Sequence, residues 1–299
     1  MEGIWIAAGR ANVTNESIIG ALHEQGLRAG LVDPTALRDV VQDGDLVLAR
    51  LDVRRSIDGI EDGVWALRRA ERRGVRVLNR ATTLIACHDK LETALALARA
   101  GIPHPPTVHV RYEATLPALT FPLVVKPRFG SWGRDVTLCT SPRQLKLRLR
   151  ALRRHAWFRR SGALLQALVP PVGFDLRLVV AGGRVVGAIE RVAAPGEWRT
   201  NIALGGARRP VDPPPAAREL ALAAAAAVGG DLVGVDLLPL ANGGYVVIEL
   251  NGAVDFTSDY SLAGKDVFDE VADVLGRTLA ERPVAAAPVA DGSRATLPV

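Results

Sequence analysis

The stretch VGVDLLPLANGGYVVIELN, residues 233–251, decides the reading of the fold. Two apolar runs flank Asn242-Gly243-Gly244, which reads as a β-hairpin with strands over residues 232–239 and 245–250. Centring the turn on Asn242-Gly243 sets Asp236 opposite Glu249, and Glu249 shares a face with Asn251 two residues on. Three oxygen-bearing side chains then converge. Carboxylate and amide oxygens of this kind suit Mg2+, which is held by a few carboxylates and by substrate phosphates. A plain charge pair on a hairpin is the alternative. The apolar company of Asp236 and Glu249 weighs against it, because a carboxylate in a buried strand is costly unless paired or metal-bound.

Working outward, residues 175–180 and 184–190 flank Gly182-Gly183 and read as a second hairpin, which carries Arg177 and Arg191 on adjacent strands. Arginine forks suit phosphate or carboxylate, although Asp175 and Arg177 read equally well as a structural pair. Further upstream, Lys126 closes the strand of FPLVVKP (121–127) and is followed by RFGSWGR (128–134). A lysine beside a glycine loop neutralises phosphates that loop N–H groups cradle; a tight turn at Gly130 and Gly133 is the simpler option. Lys90, Arg199 and Asn201 complete the set of candidate polar groups, each equally readable as a surface residue. Gly205-Gly206 reads as a turn or as a close approach of backbone to ligand. No Gly-Lys-Ser/Thr, no Gly-x-Gly-x-x-Gly after the first strand and no Gly-x-Ser-x-Gly occurs, and the five histidines are not spaced for a metal.

The chain has 299 residues, 48% of them hydrophobic and 23% charged. That is ordinary globular composition and long enough for about two domains. No apolar run reaches the ~18 residues that span a bilayer, and the start shows no basic segment leading into a long apolar one. Two cysteines exclude a disulfide framework, so a reducing cytoplasm is expected. Net charge is +5, with eight Lys/Arg and no acid over residues 143–160. That run reads as a solvated helix face or as a landing patch for an acidic partner or phosphates. Aromatics are only 5%, too few stacking platforms to favour nucleic acid.

Strand–helix alternation over residues 1–80 predicts a parallel α/β unit, with strands at 4–8, 27–32, 46–51 and 75–78 and helices at 17–25 and 64–73. A second unit over residues 81–162 is expected to hold a helix at 88–101, strands at 107–110, 121–126 and 136–139, and a basic helix at 142–154. A third, over 163–282, opens with a strand at 163–169 and contains both hairpins, an Ala-rich helix at 216–228 and a last helix at 266–280, before a loose tail at 283–299.

In this order the segments resemble the ATP-grasp superfamily, and within it the RimK-like group, closest to the LysX-type ligases of amino-group carrier protein pathways. LNRATTLIACHDKLETALALARAGIPHPPT (78–107) resembles the opening segment whose lysine, here Lys90, meets nucleotide. FPLVVKPRFGSWGR (121–134) resembles the second-lysine strand and mobile loop, which implies nucleotide contacts by Lys126, Gly130, Ser131, Trp132, Gly133 and Arg134. LLQALVPPVGFDLRLVVAGGRVVGAIER (164–191) resembles the adenine hinge, here Gln166, Ala167, Leu168 and Val169, and the strands carrying Asp175, Arg177 and Arg191. EWRTNIALGG (197–206) supplies Asn201, and 233–240 with 247–256 supply the metal ligands Asp236, Glu249 and Asn251.

The resemblance implies an α/β ATP-grasp fold behind an N-terminal pre-ATP-grasp domain, with ATP and Mg2+ (or Mn2+) as cofactors. It implies that a carboxylate attacks the γ-phosphate, and that an amine then displaces phosphate from the acylphosphate, leaving ADP. Arg177, Arg191 and Asn201 are the implied catalytic group. The implied partners are an amino acid and an acidic carrier protein ending in glutamate, in a dimer or tetramer. A RimK-like glutamate ligase acting on a protein tail or small cofactor is the alternative, and an inactive ATP-binding regulator the other. The sequence departs from the family at Ala167, where an acid is usual, at Pro170-Pro171, and at residues 252–256, where Gly-Ala-Val-Asp-Phe replaces His-Thr-Met-Glu-Phe.

Overall fold

In a computed structural model of the chain, residues 2–111 and 118–281 are described. The expected tail at 283–299 lies outside the described residues. The first element group alternates as its apolar runs dictate: β1 (Gly3–Ala7), α1 (Val13–Glu24), β2 (Arg28–Val32), a short α2 (Leu37–Val40), β3 (Leu46–Ala49), α3 (Val64–Arg72) and β4 (Arg76–Leu78). The strands form a parallel sheet in the order β2-β1-β3-β4. Asn12 caps α1 by accepting the Asn15 N–H at 2.8 Å, one of the donors that a helix start leaves free.

The helix expected at 88–101 is α5 (Lys90–Arg99), and a helix not foreseen, α4 (Ala81–His88), precedes it. Asp89 makes the break: its backbone is extended, and its carboxylate caps α5 by accepting the Leu91 N–H. Helix α4 shows no amphipathic pattern, burying Thr83 and His88 beside its apolar residues. Ala81 and Leu84 pack into the core of the N-terminal sheet, while Cys87 packs into that of a later one.

A small antiparallel sheet follows, in the order β5-β8-β6-β7, from β5 (Thr107–Val110), β6 (Leu123–Pro127), β7 (Thr137–Cys139) and β8 (Ala163–Ala167). The expectation that residue 163 opens the third unit is corrected here. β8 lies between β5 and β6, with Gln166 opposite both Thr107 and Val124. The basic segment is α6 (Pro142–Leu152) and an unforeseen α7 (Ala156–Ser161), whose Leu145, Leu152, Trp157 and Phe158 cover this sheet.

The large antiparallel sheet runs β11-β10-β9-β12-β13, from β9 (Phe174–Ala181), β10 (Arg184–Val192), β11 (Ala207–Pro210), β12 (Leu232–Pro239) and β13 (Tyr245–Asn251). Gly182 and Gly183 both have positive φ, 52° and 72°, as the two-residue turn between β9 and β10 requires. Strand alternation divides the sheet's faces. Leu176, Leu178, Val180, Val233 and Val235 pack with α5 and with α8 (Pro215–Ala227) on one side. On the other, Val179, Ala181 and Leu232 pack under α9 (Val267–Ala280), which also meets Ile18 and Leu22 of α1. The same face continues past α9 into Asp175, Arg177 and Asp236, so charged residues fill the end that no helix covers.

Candidate active site

Asp236 pairs with Glu249 in the β12–β13 register, as the turn placement predicts. A bulge between Asp236 and Leu237 leaves Ile248 as the extra residue of β13. Neighbours on a strand ordinarily face opposite ways; the bulge lets Ile248 and Glu249 line the same cleft.

The buried end of the sheet holds a lattice of four charges. Arg191 donates Nε and Nη2 to Asp175 at 2.7 and 2.5 Å, and Nη2 also reaches Asp236 Oδ2 at 2.8 Å. Arg177 forks onto Asp236, Nε and Nη2 each at 2.7 Å. The Asp175–Arg177 structural pair is therefore not formed: the two point out of one face of β9, and each finds its partner across a strand. Burial pushes the Asp236 carboxyl up, but Arg177 and Arg191 outweigh it and hold that group well below the usual carboxylate range. Burial likewise disfavours the Arg191 charge, yet Asp236 and Asp175 raise it above its ordinary value. Thr200 Oγ1 adds a hydrogen bond to Asp175 at 2.6 Å.

The lysines stand opposite this lattice. Lys90, at the first turn of α5, meets Glu249 Oε1 at 3.0 Å and donates to the Gly130 carbonyl. Lys126, on β6, donates to Gln166 Oε1 at 2.8 Å, and Gln166 Nε2 donates to Thr107 Oγ1 at 2.9 Å. The Gln166 side chain is thus spent on orienting Lys126. Burial, then the nearby Lys90 charge, pulls Lys126 down to about 8 against the pull of Glu249. Arg128 forks onto Asp89 at 2.7 and 2.5 Å, which ties the start of the glycine loop to the start of α5.

The loop itself lies against Asn201. A Cβ on Gly133, whose φ is +70°, would sit 2.7 Å from Asn201 Oδ1. Arg199, gripped by Glu197 at 2.7 Å, donates to the Gly133 carbonyl at 3.2 Å. Arg134 lies over the Trp132 ring. Gly205 has a φ of +88°, and a Cβ on Gly206 would meet three backbone carbonyls, so this pair makes a turn.

Lys90, Lys126, Gly130, Ser131, Trp132, Gly133, Arg134, Gln166, Ala167, Leu168, Val169, Asp175, Arg191, Asn201, Asp236 and Glu249 line a single cleft between the two antiparallel sheets. Arg177 and Asn251 do not line it. Arg177 braces Asp236, and Asn251 sits opposite Gly234. Leu238 and Phe174, which no motif marks, also line the cleft; alternation from Asp236 points to Leu238 alone.

Among the described residues no three Asp, Glu, His or Cys side chains converge as a metal site. The trio of Asp236, Glu249 and Asn251 reaches three only through the amide. Asn251 Nδ2 is buried with no hydrogen-bond partner. The assignment of the amide's O and N can be exchanged, and the oxygen placed there is a neutral donor of the kind that Mg2+ accepts. Two carboxylates in register and an amide whose Nδ2 has no partner make a donor set that fits a divalent ion.

Residues 87–275 match the family model of the RimK-like ATP-grasp domain. A glutamate–LysW ligase ArgX of Sulfolobus acidocaldarius is 31% identical over 209 residues, 67% of this chain and 73% of that protein. Another, of Sulfurisphaera tokodaii, is 34% identical over 194 residues, covering 62% and 67%. A human β-citrylglutamate synthase B is 30% identical over 227 residues, covering 73% and 58%. In fold, the chain superposes on a RimK-domain ATP-grasp protein of Sphaerobacter thermophilus with a TM-score of 0.66 at 24% identity, covering 91% and 98%. A D-alanine–D-alanine ligase of Bacillus anthracis gives 0.69 at 19%, covering 94% and 97%. The chain belongs to the RimK-like ATP-grasp family. It is an ADP-forming ligase that uses ATP with a divalent metal ion.

Proposed function

We propose that the chain joins the amine of an amino acid to a glutamate carboxylate of an acidic carrier protein, through an acylphosphate. The observation that carries this is the meeting of Lys90, Lys126, Asp236, Glu249 and the 130–134 loop in one cleft. Phosphoryl transfer asks for positioning and charge neutralisation more than covalent help. The hinge backbone at Leu168 and Val169 holds adenine over the apolar Leu238. Lys90 and Lys126 bind the α- and β-phosphates. Arg191 spends Nε and Nη2 on carboxylates, which leaves Nη1 to approach the γ-phosphate beside Asn201. Asp175 and Arg177 act at one remove, holding Arg191 and Asp236 in place. Asp236, Glu249 and Asn251 would hold Mg2+ or Mn2+, which neutralises phosphate charge when bound. The glycine loop excludes water that would hydrolyse the acylphosphate.

The glutamate–LysW ligases among the relatives support a carrier partner. So does α6, where exposed Leu147 is flanked by exposed Arg143, Lys146 and Arg150, a face suited to an acidic protein. A dimer or tetramer in the cytoplasm completes the reading; no helix among the described residues is long and apolar enough to cross a membrane.

The test is product analysis by mass spectrometry, with ATP, Mg2+, amino acids and glutamate-ended peptides or a carrier protein, beside a Glu249→Gln variant. ADP and a new amide, absent in the variant, are expected. AMP release overturns the acylphosphate route.

A further inference from the structure

The glycine loop at residues 130–136 keeps its shape through tethers outside itself. Its internal hydrogen bonds are long: Arg134 N–H to the Ser131 carbonyl at 3.3 Å, and Val136 N–H to the Gly133 carbonyl at 3.4 Å. Its backbone is also costly. Trp132, Gly133 and Asp135 are all left-handed, with φ of 59°, 70° and 57°, a region that Gly, Asn and Asp visit most readily. Such a segment persists only where its surroundings over-determine it.

At the near end Lys90 donates to the Gly130 carbonyl, and in the middle Arg199 donates to the Gly133 and Val136 carbonyls at 3.2 and 3.5 Å. The far end hangs on Asp135. Gly130 to Arg134 and Val136 line the cleft, but Asp135 does not. Its side chain turns to the basic helices instead. Oδ2 accepts the Trp157 Nε1–H at 3.0 Å. Arg148 Nη2 donates to Oδ1 at 3.4 Å and to the Asp135 carbonyl at 3.2 Å. His155 Nδ1 lies 3.9 Å from Oδ2. Trp157 is a fixed post. It is 5% exposed, packs in the core that covers the small sheet, and meets Phe158 edge-on with ring centroids 5.9 Å apart. Asp135 thus fastens the loop to α6 and α7 through a donor that cannot follow it. On the reading above, Lys90 is shared with nucleotide, whereas Asp135 is not.

We propose that Asp135 is the positioning residue that holds this loop across the cleft, keeping water out while the acylphosphate awaits the amine. The proposal rests on the acylphosphate reading above. Asp135 lies outside the cleft and acts through Ser131, Trp132 and Arg134, whose place it sets. An acylphosphate has two fates there. An amine attacking its carbonyl carbon forms the C–N bond, breaks the C–O bond to phosphate and gives up a proton. Water attacking the same carbon forms a C–O bond, breaks the same bond to phosphate and returns the carboxylate, again with loss of a proton. Either path follows the release of one phosphoryl group from ATP, so only the amide count records a leak. Loosening the far end of the loop admits water and turns ATP into ADP and phosphate without amide.

ADP and amide counted together test this, with ATP, Mg2+, a glutamate-ended peptide and a mixture of the common amino acids. The parent is expected to make about one ADP per amide. Asp135→Gly keeps the left-handed backbone and removes the anchor, and is expected to make about three or more ADP per amide. Trp157→Phe keeps the ring and loses the donor, and is expected to leak in the same direction. Asp135→Asn keeps both the backbone preference and an acceptor, and is expected to stay within about twofold of the parent's ratio. Tm, read beside these ratios, reports loss of structure, which lowers ADP and amide alike. A ratio unmoved in both Asp135→Gly and Trp157→Phe overturns the proposal, however far the rates fall. ADP formation that survives Glu249→Gln instead strikes the ligase reading on which the proposal rests.

Discussion

Asp236 and Glu249 face each other across one hairpin, yet they are held by different partners: Asp236 by Arg177 and Arg191, Glu249 by Lys90. Their substitutions therefore separate. Asp236→Ala leaves Arg177 buried without its carboxylate, and breaking a buried pair costs about 3–5 kcal/mol. A large fall in Tm is expected in thermal unfolding. Glu249 is partly exposed, so Glu249→Gln is expected to keep Tm close to that of the parent while amide formation drops at least a hundredfold.

Lys126 gives the site a pH dependence whose sign is fixed. Its pKa lies near 8 in the free protein, below the ordinary lysine range. Between those values the folded protein holds fewer protons than the unfolded chain, so stability rises with pH there. Below pH 8 both states carry the charge, and its burial costs stability. ATP binding runs the other way: phosphates need the ammonium, so affinity falls as pH climbs above about 8. Titration calorimetry in buffers of different ionisation heat is expected to show proton uptake on ATP binding at pH 8.5, and none attributable to this group in Lys126→Met.

Gly133 tests the loop. Alanine there meets Asn201 Oδ1 and adopts a left-handed backbone, at a cost of about 1–2 kcal/mol. That strain is expected to lower Tm by a few degrees, and kcat/KM for ATP is expected to fall about tenfold.

Asp89 has two jobs that a pair of variants divides. Arg128→Ala frees the loop and leaves the buried Asp89 carboxylate without its fork while keeping the α5 cap, and is expected to raise the KM for ATP and to lower stability. Asp89→Ala removes both, and chemical denaturation is expected to show a further loss of about 1 kcal/mol from the missing cap.

Most of the site was legible in sequence because it lies on strands, where a turn sets the register and the register sets the faces. Centring the turn on Asn242-Gly243 pointed to Asp236 opposite Glu249, but the register leaving the turn, Pro239 with Tyr245 to Leu237 with Val247, reaches that pair only through the bulge. What escaped detection depends on contacts between distant segments. Helix α4 buries Ala81, Thr83, Leu84, Cys87 and His88 because it bridges two cores, so it shows no amphipathic period. β11, with exposed Ala207–Pro210, is a strand only because β10 offers it an edge. The place of β8 turned on its partners β5 and β6 rather than on its residues. The bulge that brings Ile248 into the cleft left no mark in the chain, and the cross-strand choice of Arg177 for Asp236 depended on a neighbour some sixty positions away.

Helix α9 closes the chain's described part, yet its inward face is shared between α1 and the large sheet. Anyone wishing to isolate the nucleotide-binding half by cutting before Ala81 would strip Val271, Leu275 and Leu279 of the cover that Ile4, Ile6, Ile18 and Leu22 belong to. Such a fragment would carry a greasy flank and precipitate. Exchange of the first eighty residues for those of another ligase succeeds only if the graft brings a matching bed for that last helix.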